Sequence, residues 1–143
     1  MRVLVINGAN LNMLGNREPE IYGSETIENI NREIKAKAES LDIRVQFEQS
    51  NIEGEIINYI YTECDGIILN AGAFTHYSYA IRDAISSVST PVIEVHLTNI
   101  YSREEFRRHS VLADVCAGQI SGFGKYSYML ALEYFKIKLE ELN

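Results

Sequence analysis

Glu94-Val95-His96 sets a carboxylate and an imidazole two residues apart in an apolar run, so both side chains face the same side of a strand near its end. A carboxylate there orients the imidazole and favours its protonated form, the arrangement of a general acid. A structural histidine held by hydrogen bonds satisfies the same spacing, so the pair alone leaves both readings open. Arg17 and Tyr22 share one polar stretch. A phenol of pKa ~10 is ionised in about one molecule in a thousand at neutral pH, and moving it to ~7 takes roughly 4 kcal/mol of preference for the phenolate. One or two nearby arginines supply much of that and would make Tyr22 a base; the alternative is a surface tyrosine beside a solvated arginine. Asn70 precedes Ala71-Gly72-Ala73-Phe74-Thr75-His76, a turn that offers amides and an imidazole to a hydroxylated or anionic ligand. His76, His96 and Glu94 could also converge on a metal, but no H-E-x-x-H or close ligand pair accompanies them. Arg103, Arg107 and Arg108 read as solvated helix charges that balance Glu104 and Glu105.

Such groups need a frame. Apolar, β-branched runs alternate with helix-period segments along the chain, which predicts an α/β protein with a parallel sheet covered on both faces. Strands are expected at 3–6, 43–47, 66–69, 92–95 and 115–120. Helices are expected at 27–41 behind a Ser24 or Thr26 cap, at 53–64, at 78–87 and at 125–142. Ser102-Arg103-Glu104-Glu105 has the form of a capping box that opens a further short helix. These units match an open, doubly wound, flavodoxin-like sheet of five parallel strands in the order 2-1-3-4-5, one domain over 1–143. Ligands in such sheets bind beyond the carboxyl ends of the strands. Here those ends fall at 7–12, 49–51, 70–76, 96–101 and 119–124, and they include two of the three histidines. The polar segment 7–23 is too long for an ordinary strand-to-helix turn. It lacks both G-x-G-x-x-G and the P-loop spacing, and Asn7 and Asn70 stand where a phosphoacceptor module needs carboxylates.

The composition narrows the partners. A chain of 143 residues, 46% hydrophobic and 23% charged, is an ordinary globular domain, and no run approaches the ~18 apolar residues of a membrane span. A net charge of −7 argues against nucleic acid. Cys64 and Cys116 lack metal-ligand spacing and suit free thiols in a reducing compartment, and no signal-peptide pattern opens the chain, so a cytoplasmic address is expected.

Taken together, the motifs resemble the type II 3-dehydroquinate dehydratases. They comprise Asn7-Gly8-Ala9-Asn10-Leu11-Asn12-Met13-Leu14-Gly15, Arg17-Glu18-Pro19, Tyr22-Gly23, Gln49-Ser50-Asn51 and Glu53-Gly54. Asn70-Ala71-Gly72-Ala73, Thr75-His76, Glu94-Val95-His96-Leu97, Asn99, Arg103-Glu104 and Phe106-Arg107 extend the likeness over nearly the whole chain. The resemblance implies anti elimination of water from 3-dehydroquinate to 3-dehydroshikimate through an enolate, without metal, cofactor or Schiff base. By the same resemblance Tyr22 is the base, activated by Arg17, and Asn10 holds a water that stabilises the enolate. His96, oriented by Glu94, protonates the departing hydroxyl. Asn70 and the backbone amides of Leu97 and Thr98 hold the substrate carboxylate, while His76 and Arg107 take the ring hydroxyls. Asp83 reaches in from a neighbouring subunit of a trimer, four of which form a dodecamer. Ala9 departs from the family's usual proline, which loosens the turn that presents Asn10, and Thr98 replaces a more usual serine. A different reading of the same pocket is a non-catalytic, carboxylate-binding flavodoxin-like module.

Overall fold

Val3, Leu4, Val5 and Ile6 are apolar toward both sides of the chain, which only the middle of a sheet covered on both faces accommodates. In the computed structural model, which describes residues 1–16, 18–22 and 24–142 without the side chains of Pro19 and Tyr22, this segment is central. It forms β1 (Arg2–Asn7), which pairs in parallel with β2 (Arg44–Gln49) and β3 (Gly66–Asn70). β4 (Val92–His96) and β5 (Gly118–Ser121) complete a parallel sheet in the order 2-1-3-4-5. The register sets Gln49, Asn7 and Asn70 side by side at the carboxyl ends of their strands and pairs Leu69 with Glu94.

Besides the short α1 (Pro19–Tyr22), four helices cover the sheet: α2 (Ile27–Ser40), α3 (Glu53–Ile60), α4 (Tyr79–Ser87) and α5 (Tyr126–Leu142). Ile27, Ile30, Ile34 and Ala38 of α2 pack with Tyr128, Leu132 and Phe135 of α5 on Val3, Val5, Ile68 and Val95. On the other face Ile56 and Ile60 of α3 and Ile81, Ala84 and Ile85 of α4 cover Leu4, Ile6, Ile67 and Leu69. Thr26 caps α2, its hydroxyl accepting from the Asn29 N–H at 3.2 Å, and Ser78 caps α4 through Ile81 at 3.0 Å. No helix among the described residues is long and apolar enough to cross a membrane.

Two boundaries lie more than two residues from those expected, and one cap is absent. The helix at 53–64 ends at Ile60, because the Asp65 N–H already donates to the Arg2 carbonyl at 2.9 Å and the chain must leave the helix to reach it. The strand expected at 115–120 begins at Gly118, since 113–115 form a 3-10 turn and pairing with β4 opens only where Ala117 donates to Val92. The capping box does not form. Ser102 donates to the Asn99 carbonyl at 2.9 Å, and Glu104 precedes the 3-10 turn Glu105–Arg108 without a side-chain cap. The Asn99 side chain accepts from Tyr101 first, which commits the backbone to a tight turn.

Candidate functional site

Alternation along β4 sends Val92, Glu94 and His96 toward the α3/α4 face, and the strand ends there. Glu94 is 0% exposed and His96 only 7%. The His96 Nε2 bonds to Glu94 Oε2. Oε2 also accepts from the Thr75 hydroxyl at 3.2 Å and the Gln119 amide at 3.3 Å, while Oε1 accepts from the Ser110 hydroxyl at 2.8 Å. Burial pushes the Glu94 carboxyl up, but the hydrogen bond and charge of His96, with the Ser110 and Gln119 donors, outweigh it and hold the carboxyl below the usual range. An ionised carboxylate only accepts, so Nε2 carries a proton and Nδ1 is the ring nitrogen left for chemistry.

At the ends of β1 and β3 the backbone does the positioning. Gly8 packs on Ala71 so closely that a Cβ would lie 2.3 Å from its carbonyl oxygen, and at Gly72 one would lie 2.7 Å from the Ala9 oxygen. These contacts hold the two loops together, and the Gly8 N–H donates to the Asn70 carbonyl at 2.7 Å. Asn10 follows in the left-handed region, at φ 69°, and its N–H donates to the Asn51 side chain at 2.8 Å. Asn70 is buried, with Oδ1 accepting from Gly72 at 3.2 Å and Nδ2 donating to the Tyr128 hydroxyl at 3.0 Å. Tyr128 in turn donates to Asn7 Oδ1 at 2.5 Å.

These ends open onto a cavity of about 230 Å³ lined by Asn10, Asn70, His76, His96, Leu97, Thr98 and Arg107, all expected from the sequence, together with Ala9, Leu11, Gly72, Ala73, Ile100 and Arg103. In a chain of net charge −7 its lining holds two guanidiniums and no Asp or Glu side chain among the described residues, which suits an anionic ligand. His76 Nδ1 lies 2.8 Å from the His109 carbonyl. Burial pushes its pKa down, the His96 and Arg107 charges add to that, and the carbonyl and Glu94 only partly offset them, so the ring is neutral at neutral pH. The carbonyl claims the Nδ1 proton, which leaves Nε2 as an acceptor. Phe106 supports both neighbours: its ring meets His76 edge-on at 6.2 Å between centroids, and the Arg107 guanidinium lies 4.8 Å over it. Arg107 also pairs with Glu104 at 3.3 Å.

Arg103 and Arg107 are therefore cavity residues and not simply solvated charges, because the tight turns at 100–102 and 105–108 fold back over the strand ends. Arg17 lies outside the described residues, as does the side chain of Tyr22, whose backbone ends α1. Asp83 is exposed and absent from the cavity lining. On α4, Ala84 packs toward the sheet and Ala80 does not. Ala80 is exposed because the buried stripe runs through Ile81, Ala84 and Ile85. Lys125, the lysine nearest a strand end, is paired with Glu25 and Glu33, both at 2.8 Å. Among the described residues no three His, Cys, Asp or Glu side chains are grouped as a metal would need. Sequence reasoning missed Ser110, Asn51 and Tyr128 as supports. Asn51 sat in a quoted motif without a role, and Ser110 and Tyr128 carry no local signal because each acts on residues distant in the chain.

A model of the family Dehydroquinase class II matches residues 1–136. The chain is 56% identical to the 3-dehydroquinate dehydratase of Thermotoga petrophila over 100% of both chains. It is 60% identical to that of Caldanaerobacter subterraneus subsp. tengcongensis over 92% of this chain and 90% of the relative. Among solved structures, the type II dehydroquinase from Butyrivibrio crossotus matches with a TM-score of 0.91 at 50% identity, covering 94% of this chain and 96% of that one.

Proposed function

The chain belongs to the class II dehydroquinase family, and from that premise we propose that it eliminates water from 3-dehydroquinate to give 3-dehydroshikimate in the cavity beyond β1, β3 and β4. The observation that carries this reading is the buried Glu94–His96 pair, whose imidazole lines a cationic cavity with no Asp or Glu side chain in its lining among the described residues. A six-membered ring acid with several hydroxyls needs an anion site, hydroxyl partners, a base and an acid. Asn70 with the Leu97 and Thr98 amides supplies the first, and His76, as an acceptor at Nε2, with Arg107 as a donor, supplies the second.

Tyr22, as the phenolate favoured by Arg17, takes the C2 proton, and the electron pair moves into the enolate. Asn10 holds the water that stabilises the enolate oxygen, a donor aimed at charge that exists only on the way to product. Collapse of the enolate forms the carbon–carbon double bond and breaks the C1–oxygen bond. His96 gives its proton from Nδ1 to that oxygen, which leaves as water. Tyr22 ends protonated and His96 neutral, and exchange with solvent restores both. The whole chain, 1–143, acts as one domain, and the reaction draws on no metal or cofactor.

Asp83 serves a neighbouring subunit in a trimer, four of which build a dodecamer, in the cytoplasm. Its exposure on α4 beside Tyr79, which is 68% exposed and one turn earlier, supports an outward role. Mixing subunits mutated at Tyr22 with subunits mutated at Asp83 restores activity in about one site in four if each site draws on two chains, and restores none if Asp83 acts within its own. The activity itself is tested by adding 3-dehydroquinate and following the near-ultraviolet absorbance of the conjugated enone. A folded protein that binds the substrate and forms no enone is the non-catalytic module.

A further inference from the structure

Glu94 is a fully buried carboxylate whose two oxygens are engaged unequally. Oε2 takes His96, Thr75 and Gln119, whereas among the described residues the donor on Oε1 is the Ser110 hydroxyl, at 2.8 Å. A buried anionic oxygen without a donor is strongly disfavoured, so the Oε1 contact bears on whether the carboxylate stays charged. The direction of that contact is dictated locally. The Ser110 Oγ accepts the N–H groups of Leu112 and Ala113, both at 3.1 Å, which occupies its two lone pairs and turns its one proton toward Glu94. Its neighbours are held as well: the His109 carbonyl takes the Nδ1 proton of His76, and the Val111 N–H donates to the Thr75 carbonyl at 2.9 Å. One tripeptide, two residues beyond Arg107, thus touches the supports of both histidines.

Resting on the dehydratase reading above, we infer that Ser110 is a positioning residue for the acid step: its hydroxyl, aimed by two backbone N–H groups, holds Glu94 as an anion so that His96 keeps the proton it delivers. Without that donor the proton between Nε2 and Oε2 moves toward the carboxylate. The resulting neutral imidazole is a far weaker acid than imidazolium. The other groups facing this pair do not compete for the proton. His76, at the end of the 72–76 turn, is held neutral chiefly by burial, and the Arg107 guanidinium beside it has donors only. The Cys116 thiol ahead of β5 is pushed up to about 12 by burial and by the Glu94 and Asp114 charges.

The test compares the parent, Ser110→Ala and Ser110→Thr for kcat and KM with 3-dehydroquinate across pH, for thermal unfolding, and for the NMR titration of the His96 ring in the free protein. Ser110→Ala is expected to lower kcat about ten- to a hundredfold with KM within about threefold. It should move the basic limb of kcat and the His96 titration to lower pH by about one unit. Ser110→Thr, which keeps the hydroxyl, should return both to within about threefold of the parent. A Ser110→Ala protein that loses only thermal stability, with kcat within about twofold and His96 titrating as in the parent, overturns the inference. So does a folded Ser110→Thr protein that behaves as the alanine variant. An inactive parent overturns the dehydratase reading instead, and the His96 titration then decides the positioning claim alone.

Discussion

At the end of β4, Glu94 is fully buried and takes donors from Thr75, His96, Ser110 and Gln119, whereas just past β1 Asn10 lies exposed and is held through its own N–H by Asn51. The first arrangement is built from side chains that four segments of the chain bring to one carboxylate. It fixes the orientation of the His96 ring before any substrate arrives. The second is built from backbone shape: Gly8 against Ala71, Gly72 against Ala9, and a left-handed residue between them and the segment that carries the proposed base. One end of the site is therefore sensitive to changes of charge and hydrogen bonding, the other to changes of bulk.

The largest expected effect falls on the β1 side. Tyr22→Phe removes the proton acceptor and should lower kcat by about 10³–10⁴ with substrate binding retained. Steady-state kinetics with a separate binding measurement checks this, and turnover within about tenfold of the parent rules Tyr22 out as base.

On the β4 side, His96→Asn and Glu94→Gln should each lower kcat by about 10²–10³, and the double variant should be little worse than His96→Asn alone, because both changes dismantle one ion pair. Independent losses that multiply in the double variant would mean that Glu94 and His96 do not act as a unit.

Gly8→Ala probes the backbone-built end. The added Cβ has to displace the Ala71 carbonyl, so the loss of stability should be about 1–3 kcal/mol, with KM raised more than kcat is lowered. Denaturant unfolding with kinetics on the folded fraction reads both, and an unaltered midpoint would show that the two loops part easily.

The smallest effect is on stability against pH. His76 has a depressed pKa in the folded protein, chiefly through burial, so the unfolded chain takes up the proton first. Its contribution is complete above the ordinary histidine value of ~6.5 and is lost as pH falls through the folded value. Glu94, held below the usual carboxylate range, acts with the same sign further down. The melting temperature of the parent should fall on acidification below ~6.5, and His76→Gln should flatten the upper part of that fall. Parallel curves for the two proteins would remove His76 from the titration.

Much of the frame was legible in the residues. Two-sided apolar runs at 3–6 and 66–69 force central strands, the helical stripe 27, 30, 34, 38 forces a packed face, and the alternation of units matches the doubly wound class whose order, 2-1-3-4-5, the sheet adopts. The Glu94-Val95-His96 spacing needs only the two-residue period of a strand, so the facing of that pair was also readable. Helix and strand ends were less so, since Ile60 and Gly118 are set by where Asp65 and Ala117 find partners on other strands.

What the amino-acid order determines by itself is local: which residues are strand or helix, which alternate together, and which motif types stand at the strand ends. The tertiary structure alone decided that Ser110 and Thr75 complete Glu94, that Tyr128 links Asn7, 121 residues before it, to Asn70, 58 residues before it, and that Arg103 joins Arg107 at the cavity while Lys125 is occupied by Glu25 and Glu33. The physical reason is range. Periodicity and capping act within a few residues, whereas a buried hydrogen bond is satisfied by whichever group packing brings within about 3 Å, and nothing in the spacing along the chain encodes that distance.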